Sequence, residues 1–214
     1  MKVCCVGYRP WALEIYDFIE DNNYEVLIIR SKKEYNEDKI IEYDPDYILF
    51  YGWSWIINSK LLEDFKCIML HPSPLPKYRG GSPIQNQIIN GEIDSAVTLF
   101  LMDQGIDTGD ILAQEYLSLE GTISDIFGRI TEIGKKLTLD ILTDNYSIRK
   151  QNDEDSTYFP RRKPAESEIT IDEIMTKSGQ YLHNKIRMLQ DPYPNSFIRT
   201  SDGKKLKIIL SELE

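Results

Sequence analysis

The chain has no Gly-x-Gly-x-x-Gly segment and no apolar run approaching the roughly 18 residues of a membrane span. It holds only two histidines and three cysteines in 214 residues. Each scarcity excludes something. Gly7 stands alone after the first apolar run, so a nicotinamide dinucleotide is not expected. The N-terminus reads as a strand followed by charge and not as a leader, so a cytoplasmic protein without membrane contact is expected. Cys4, Cys5 and Cys67 are odd in number and sit in apolar runs, as buried thiols of a reducing compartment do. No Cys/His cluster has zinc-ligand spacing, and no metal is expected. Basic excess is missing as well. Lys and Arg total 25 against 35 Asp and Glu, a net charge of −10 that disfavours nucleic acid as the main partner.

What is present is an alternation of strand and helix patterns. Lys2–Gly7, Tyr24–Ile29, Tyr47–Gly52 and Lys66–Leu70 are short apolar runs, and Trp11–Glu20 has helical spacing after Pro10. Ser31–Asp44 reads as a polar link. Ser82–Ile89 reads as a helix, Ala96–Met102 and Ile111–Leu119 as strands, and Thr122–Leu142 as a long amphipathic helix weakened at Gly134. This order predicts an α/β fold: a Rossmann-like, mostly parallel sheet with helices on both faces. The polar stretch Thr143–Ser156 reads as a linker, dividing a larger Rossmann-like domain over 1–150 from a small α+β subdomain over 151–214. In the smaller unit, Thr170 and Glu173 form a capping-box pattern before one helix carrying Ile174, Met175, Tyr181, Leu182, Ile186 and Leu189. Ser196–Arg199 and Lys205–Ser211 flank Asp202-Gly203 as a hairpin.

The chemistry concentrates in one stretch. His71 ends an apolar strand and opens a loop stiffened by Pro72, Pro74 and Pro76 and loosened at Gly80-Gly81. An imidazole on a rigid loop at a strand's carboxyl end is where α/β proteins place ligands. A lone histidine is as readily a satisfied structural one, and the residues alone leave both readings open.

These residues carry a resemblance. His71-Pro-Ser-Pro-Leu-Pro-Lys-Tyr-Arg-Gly80, followed by Met102-Asp-Gln-Gly-Ile-Asp-Thr-Gly-Asp110, is similar in order and spacing to the paired motifs of the folate-dependent formyltransferases. That family includes enzymes acting on methionyl-tRNA, on glycinamide ribonucleotide and on nucleotide sugars. Gly7-Tyr-Arg-Pro-Trp11, Gly52-Trp-Ser-Trp-Ile-Ile57, Arg79-Gly-Gly-Ser-Pro-Ile-Gln-Asn86 and Arg161-Arg-Lys-Pro164 look most like the sugar N-formyltransferases, above all the pseudaminic-acid-pathway type. The resemblance implies an enzyme that moves a formyl group from N10-formyltetrahydrofolate to the primary amine of a nucleotide-linked amino sugar, in surface-glycan biosynthesis. A homodimer is a candidate assembly. In the tRNA branch the chain usually continues into a basic, barrel-like domain, for which no residues are expected here.

By the same resemblance, His71 shuttles the proton and supports the oxyanion, with Asp107 fixing its orientation. Trp53, Trp55, Ile56, Ile57, Met102, Asp103 and Asp107 hold the folate. Tyr8, Arg9, Trp11, Lys77, Arg79, Gly80, Gly81, Ser82, Gln85, Arg161 and Arg162 hold the acceptor. Arg161, Arg162 and Lys163 suit phosphates, and equally suit a solvated linker. The family's catalytic asparagine lies two residues before the histidine. Here Met69 occupies that place, and a thioether donates no hydrogen bond. The chain is then an inactive folate-binding relative, a substituted enzyme, or a branch with its donor elsewhere. Asn86 is the expected substitute.

Overall fold

The computed structural model describes residues Met1–Glu214. In chain order, β1 (Lys2–Val6), α1 (Pro10–Asp21), β2 (Glu25–Ile29), α2 (Glu37–Tyr43), β3 (Tyr47–Tyr51), α3 (Ser59–Asp64) and β4 (Cys67–His71) form the first half. After them come β5 (Arg79–Gly80), α4 (Pro83–Ile89), β6 (Asp94–Leu101), β7 (Ile111–Ser118) and α5 (Ile123–Leu142). The C-terminal part holds β8 (Tyr158–Phe159), α6 (Ile171–Thr176), α7 (Gly179–Arg187), β9 (Ser196–Arg199) and β10 (Lys205–Ile208).

Six strands make one sheet in the order β2-β1-β3-β4-β6-β7. The first four are parallel; β6 runs antiparallel to β4, and β7 antiparallel to β6. Helices cover both faces, as the apolar strand runs require. α1 and α5 share one cluster in which Ile15, Ile19, Ile126 and Ile130 lose all contact with solvent, while Ile40 of α2 and Leu61 of α3 pack on the other face. Burying each such side chain stabilises by about 1.5–3 kcal/mol. Gly134 has a packing reason: a Cβ there would lie 2.5 Å from Ile15 Cδ1 and 3.0 Å from Leu70 Cδ1. The small residue lets α5 settle onto α1 and the sheet. No helix is long and apolar enough to cross a membrane.

Three local expectations change. The stretch Ser31–Asp44 contains α2, capped by Asn36, whose side chain accepts from the Lys39 amide. α3, capped by Asn58, follows the aromatic loop. The single C-terminal helix is two, α6 and α7, because Lys177 is extended and Ser178 begins a new cap. The capping box of Thr170 and Glu173 forms at the start of α6, but Met175 stays 78% exposed, so the apolar face does not run through both helices. β9 and β10 pair as the expected hairpin.

Candidate active site

The segments after β1, β3 and β4 leave the sheet at the same edge, the carboxyl ends of parallel strands, where the order β2-β1-β3 places a crevice. A cleft of about 980 Å³ opens there. His71, the last residue of β4, lies in its wall at 5% exposure. The Pro-rich loop folds back on itself through Ser73 N–H to His71 O (2.9 Å), Lys77 N–H to Pro74 O (3.1 Å) and Ser73 Oγ to Lys77 O (2.8 Å). Tyr78 then turns through a left-handed φ of 59°, and its carbonyl meets His71 Nε2 at 2.8 Å. A carbonyl can only accept, so Nε2 carries the proton and Nδ1 is the free ring atom of neutral His71.

Nδ1 faces Asp107 Oδ2 at 3.6 Å. The same carboxylate oxygen accepts from the Gly80 amide at 2.8 Å. Asp107 sits at a φ of 55°, a left-handed conformation that aspartate tolerates better than most residues. Gln151 holds it there. Its amide nitrogen donates to Asp107 O (3.0 Å) and Gly109 O (2.7 Å), and its oxygen accepts from Arg79 Nη2 (2.8 Å), which also reaches Asp153. Thr143–Ser156 is therefore more than a link, since Gln151 within it braces the loop that carries Asp107. No pattern in that polar stretch marks the residue. Asp103 is a turn aspartate, accepting from the Gly105 amide and Thr108 Oγ1.

Two short strands complete one wall. β5 pairs in parallel with β8, so that Tyr158–Arg162 runs alongside the glycines. A Cβ on Gly81 would lie 2.4 Å from Arg161 Cα, and one on Gly80, at a φ of 94°, 2.3 Å from Phe159 O. Arg161 Nη2 donates to Ser54 Oγ at 3.0 Å, and the Arg162 amide to Ser82 Oγ at 3.1 Å. Another wall is the aromatic loop after β3. Trp53 packs against Trp55 (ring centroids 4.6 Å apart) and Tyr35 (5.1 Å), with Lys32 Nζ 5.0 Å from the Tyr35 ring.

Most of the expected site residues line this cleft: Arg9, Trp11, Trp53, Trp55, Ile56, Ile57, His71, Gly80, Gly81, Ser82, Gln85, Met102, Asp103, Asp107, Arg161 and Arg162. Four do not, each for a stated reason. Tyr8 is bonded to Ser54 Oγ at 2.7 Å and packs on the Trp55 ring, centroids 5.2 Å apart. Lys77 is exposed on the Pro-rich loop. Arg79 is buried and committed to Gln151 and Asp153. Asn86 spends its amide hydrogens on Gly81 O (2.8 Å) and Pro160 O (3.5 Å), so the expected donor is a brace for the glycine turn. Ile56 lines the rim at 99% exposure and offers the cleft little apolar surface. Phe127 and Tyr193 line it unforeseen; Phe127 reads as one more core residue of α5.

Three buried side-chain nitrogens have no hydrogen-bond partner in the protein: Trp53 Nε1, Gln85 Nε2 and Arg162 Nε. All three residues are in the wall of this cleft. An unmet buried donor costs about 1–3 kcal/mol, so three in one cleft fit a ligand rich in acceptor atoms. The thiols are not candidates for the chemistry, because burial pushes Cys4 and Cys67 up to about 12.

The family profile described as "Formyl transferase" matches residues 17–142. The chain is 34% identical over 177 residues to the methionyl-tRNA formyltransferase of Campylobacter curvus (strain 525.92), spanning 81% of this chain and 57% of that relative. The chain spans less than two thirds of the length of this and other curated relatives that it matches. A solved methionyl-tRNA formyltransferase from Clostridium thermocellum matches with a TM-score of 0.86 at 33% identity, covering 97% of both chains. A 4-N formyltransferase from Francisella tularensis shares the fold at a TM-score of 0.77 and 22% identity, over 100% of this chain and 98% of the other.

Proposed function

We propose, since the chain belongs to the formyl transferase family, that it transfers a formyl group from N10-formyltetrahydrofolate to the primary amine of a nucleotide-linked amino sugar. The observation that carries the reading is His71 Nδ1 facing Asp107 Oδ2 in the wall of the cleft. Bound N10-formyltetrahydrofolate supplies an activated formyl carbon: the amine nitrogen bonds to it, its bond to N10 breaks, and one proton passes from the amine to N10. His71 takes that proton at Nδ1, since Nε2 keeps its own on Tyr78 O, and gives it back from the same atom. Asp107 supplies the opposite charge while the ring holds two protons.

The fit to a folate rests on this chain's own groups. Trp53, Trp55 and Ile57 offer apolar surface to a flat heteroaromatic ring, and Trp53 Nε1 is an unmet donor beside it. Met102, Asp103 and Asp107 form the neighbouring wall. Arg9, Arg161 and Arg162 bring three cations to a cleft in a chain of net charge −10, a local reversal that suits the phosphates of a sugar nucleotide. Ser82 and Gly80-Gly81 would receive the sugar. The division into 1–150 and 151–214, a cytoplasmic location, a homodimer and a place in surface-glycan biosynthesis belong to the same proposal.

A second reading is favoured by one observation: relatives of about one-third identity are methionyl-tRNA formyltransferases. Incubation with N10-formyltetrahydrofolate and, separately, UDP-, dTDP- and GDP-linked amino sugars and methionyl-tRNA decides between them. A mass gain of one formyl group on a sugar nucleotide upholds the first reading; formyl-methionyl-tRNA upholds the second. Folate binding without transfer to any amine would make the chain a binding protein.

A further inference from the structure

Met69 lines the cleft two residues before His71 and packs its thioether among the apolar clusters on either side, so it provides no donor to the reacting group. Three consecutive carboxamides on α4, the helix that follows the His71 loop, are candidate replacements, and the structure separates them. Gln87 is fully committed: its nitrogen donates to Pro72 O (2.9 Å) and Pro83 O (3.0 Å), and its oxygen accepts from Ser95 Oγ (2.6 Å). Asn86 braces Gly81 and Pro160. Gln85 is equally buried, at 3% exposure, yet its amide nitrogen has no partner and the residue lines the same cleft as His71.

We propose that the Gln85 amide nitrogen is the hydrogen-bond donor to the formyl oxygen, in the place left without one by Met69. The proposal rests on the formyl-transfer reading and deepens it. One observation and two physical arguments lead there. Gln87 ties α4 to the carbonyl of Pro72, the residue after His71, so the helix that carries Gln85 is anchored at the catalytic turn. A buried amide without a protein partner is costly, and a ligand oxygen removes the cost. The amine's attack sends the π electrons of the formyl C=O onto oxygen, and a fixed donor counts most where that charge grows. The electrons return to re-form C=O as the bond to N10 breaks, and the proton follows by way of His71.

The test uses the full chain and a hydrolysis-resistant N10-formyl folate analogue carrying 13C in the formyl group. In the parent, the 13C=O stretch of the bound analogue shifts to lower frequency than in water, and Gln85→Met abolishes much of that shift. Gln85→Met also lowers kcat by about 100-fold, with analogue affinity, read by tryptophan fluorescence, within a few-fold of the parent. Gln85→Glu, which keeps the shape of the side chain, shows the same loss if Gln85→Met fails to fold. An unshifted band in the parent, or a variant with full kcat and an unchanged band, overturns the assignment while formyl transfer stands. A parent that binds no analogue and formylates no amine overturns the formyl-transfer reading itself, and this assignment with it.

Discussion

The carbonyl of Tyr78 holds Nε2 of His71 at 2.8 Å and so decides which ring nitrogen is free for chemistry. The arrangement depends on Tyr78 being in a left-handed conformation, locked from outside by its amide's bond to Thr157 Oγ1 at 2.8 Å. A backbone turn thereby sets the protonation pattern of a side chain seven residues earlier.

Replacing that ring separates chemistry from binding. His71→Gln and Asp107→Asn are each expected to lower kcat by at least about 100-fold, while folate-analogue affinity stays within a few-fold of the parent. Asp107→Asn keeps an acceptor for the Gly80 amide and tolerates the left-handed backbone, so its thermal midpoint should move little. Steady-state kinetics with tryptophan titrations check both. Full turnover in His71→Gln would return His71 to a structural role.

Gln151 acts at a distance from any substrate. Gln151→Leu preserves its bulk but strips the donor from Asp107 O and Gly109 O and the acceptor from Arg79. A loss of about 1–3 kcal/mol in denaturant unfolding is expected, together with a fall in kcat as the aspartate loop loosens. Hydrogen exchange at the Gly80 amide, which donates to Asp107 Oδ2, should quicken in step.

At Gly81 the limitation is room. Gly81→Ala forces a Cβ to within 2.4 Å of Arg161 Cα, a contact that only displacement of the backbone following β8 can relieve. Overpacking of this kind costs about 1–3 kcal/mol. Thermal unfolding should show it, and acceptor KM should rise more than folate-analogue Kd, because the displaced wall carries Arg161 and Arg162.

Acid should reveal the small unit's ion pair. Burial works to raise the Glu173 carboxyl, but Lys185 Nζ at 2.7 Å, the Thr170 amide and Tyr181 together hold it below its ordinary value. A depressed carboxyl stabilises the fold above its unfolded value and loses that contribution as pH falls through the folded one. Glu173→Gln should therefore be less stable than the parent near neutrality, with the gap closing below the ordinary glutamate value of about 4.3. Thermal midpoints measured down a pH series test the sign; a gap that widened in acid would contradict it.

The parallel strands were legible because Val3–Val6 and Ile48–Tyr51 are continuous apolar runs buried on both faces, a pattern that admits few other structures. α5 was legible because Ile123, Ile126, Ile130, Leu137 and Ile141 all fall on its buried stripe. α2 was not, since among its seven residues Ile40 alone is buried and the rest is charged or half-exposed. At the site, motif resemblance brought out His71 and Asp107, which the structure sets facing one another. Choosing between Gln85 and Asn86 lay beyond the sequence. Adjacent carboxamides on a helix point about 100° apart, and only the positions of Gly81 and Pro160 reveal which one is already committed.

The pairing of β5 with β8, two residues on each side, has a consequence for anyone recombining this chain with its relatives. A crossover placed at residue 150 would import a foreign partner for Arg79, Gly80 and the Asp107 loop all at once, and the hybrid would lose the facing of His71 and Asp107 before its acceptor preference could be read. A crossover after Arg162 leaves the Gln151 clamp and both short strands native. Specificity in such hybrids should therefore transfer in one piece only when the seam lies beyond the basic pair.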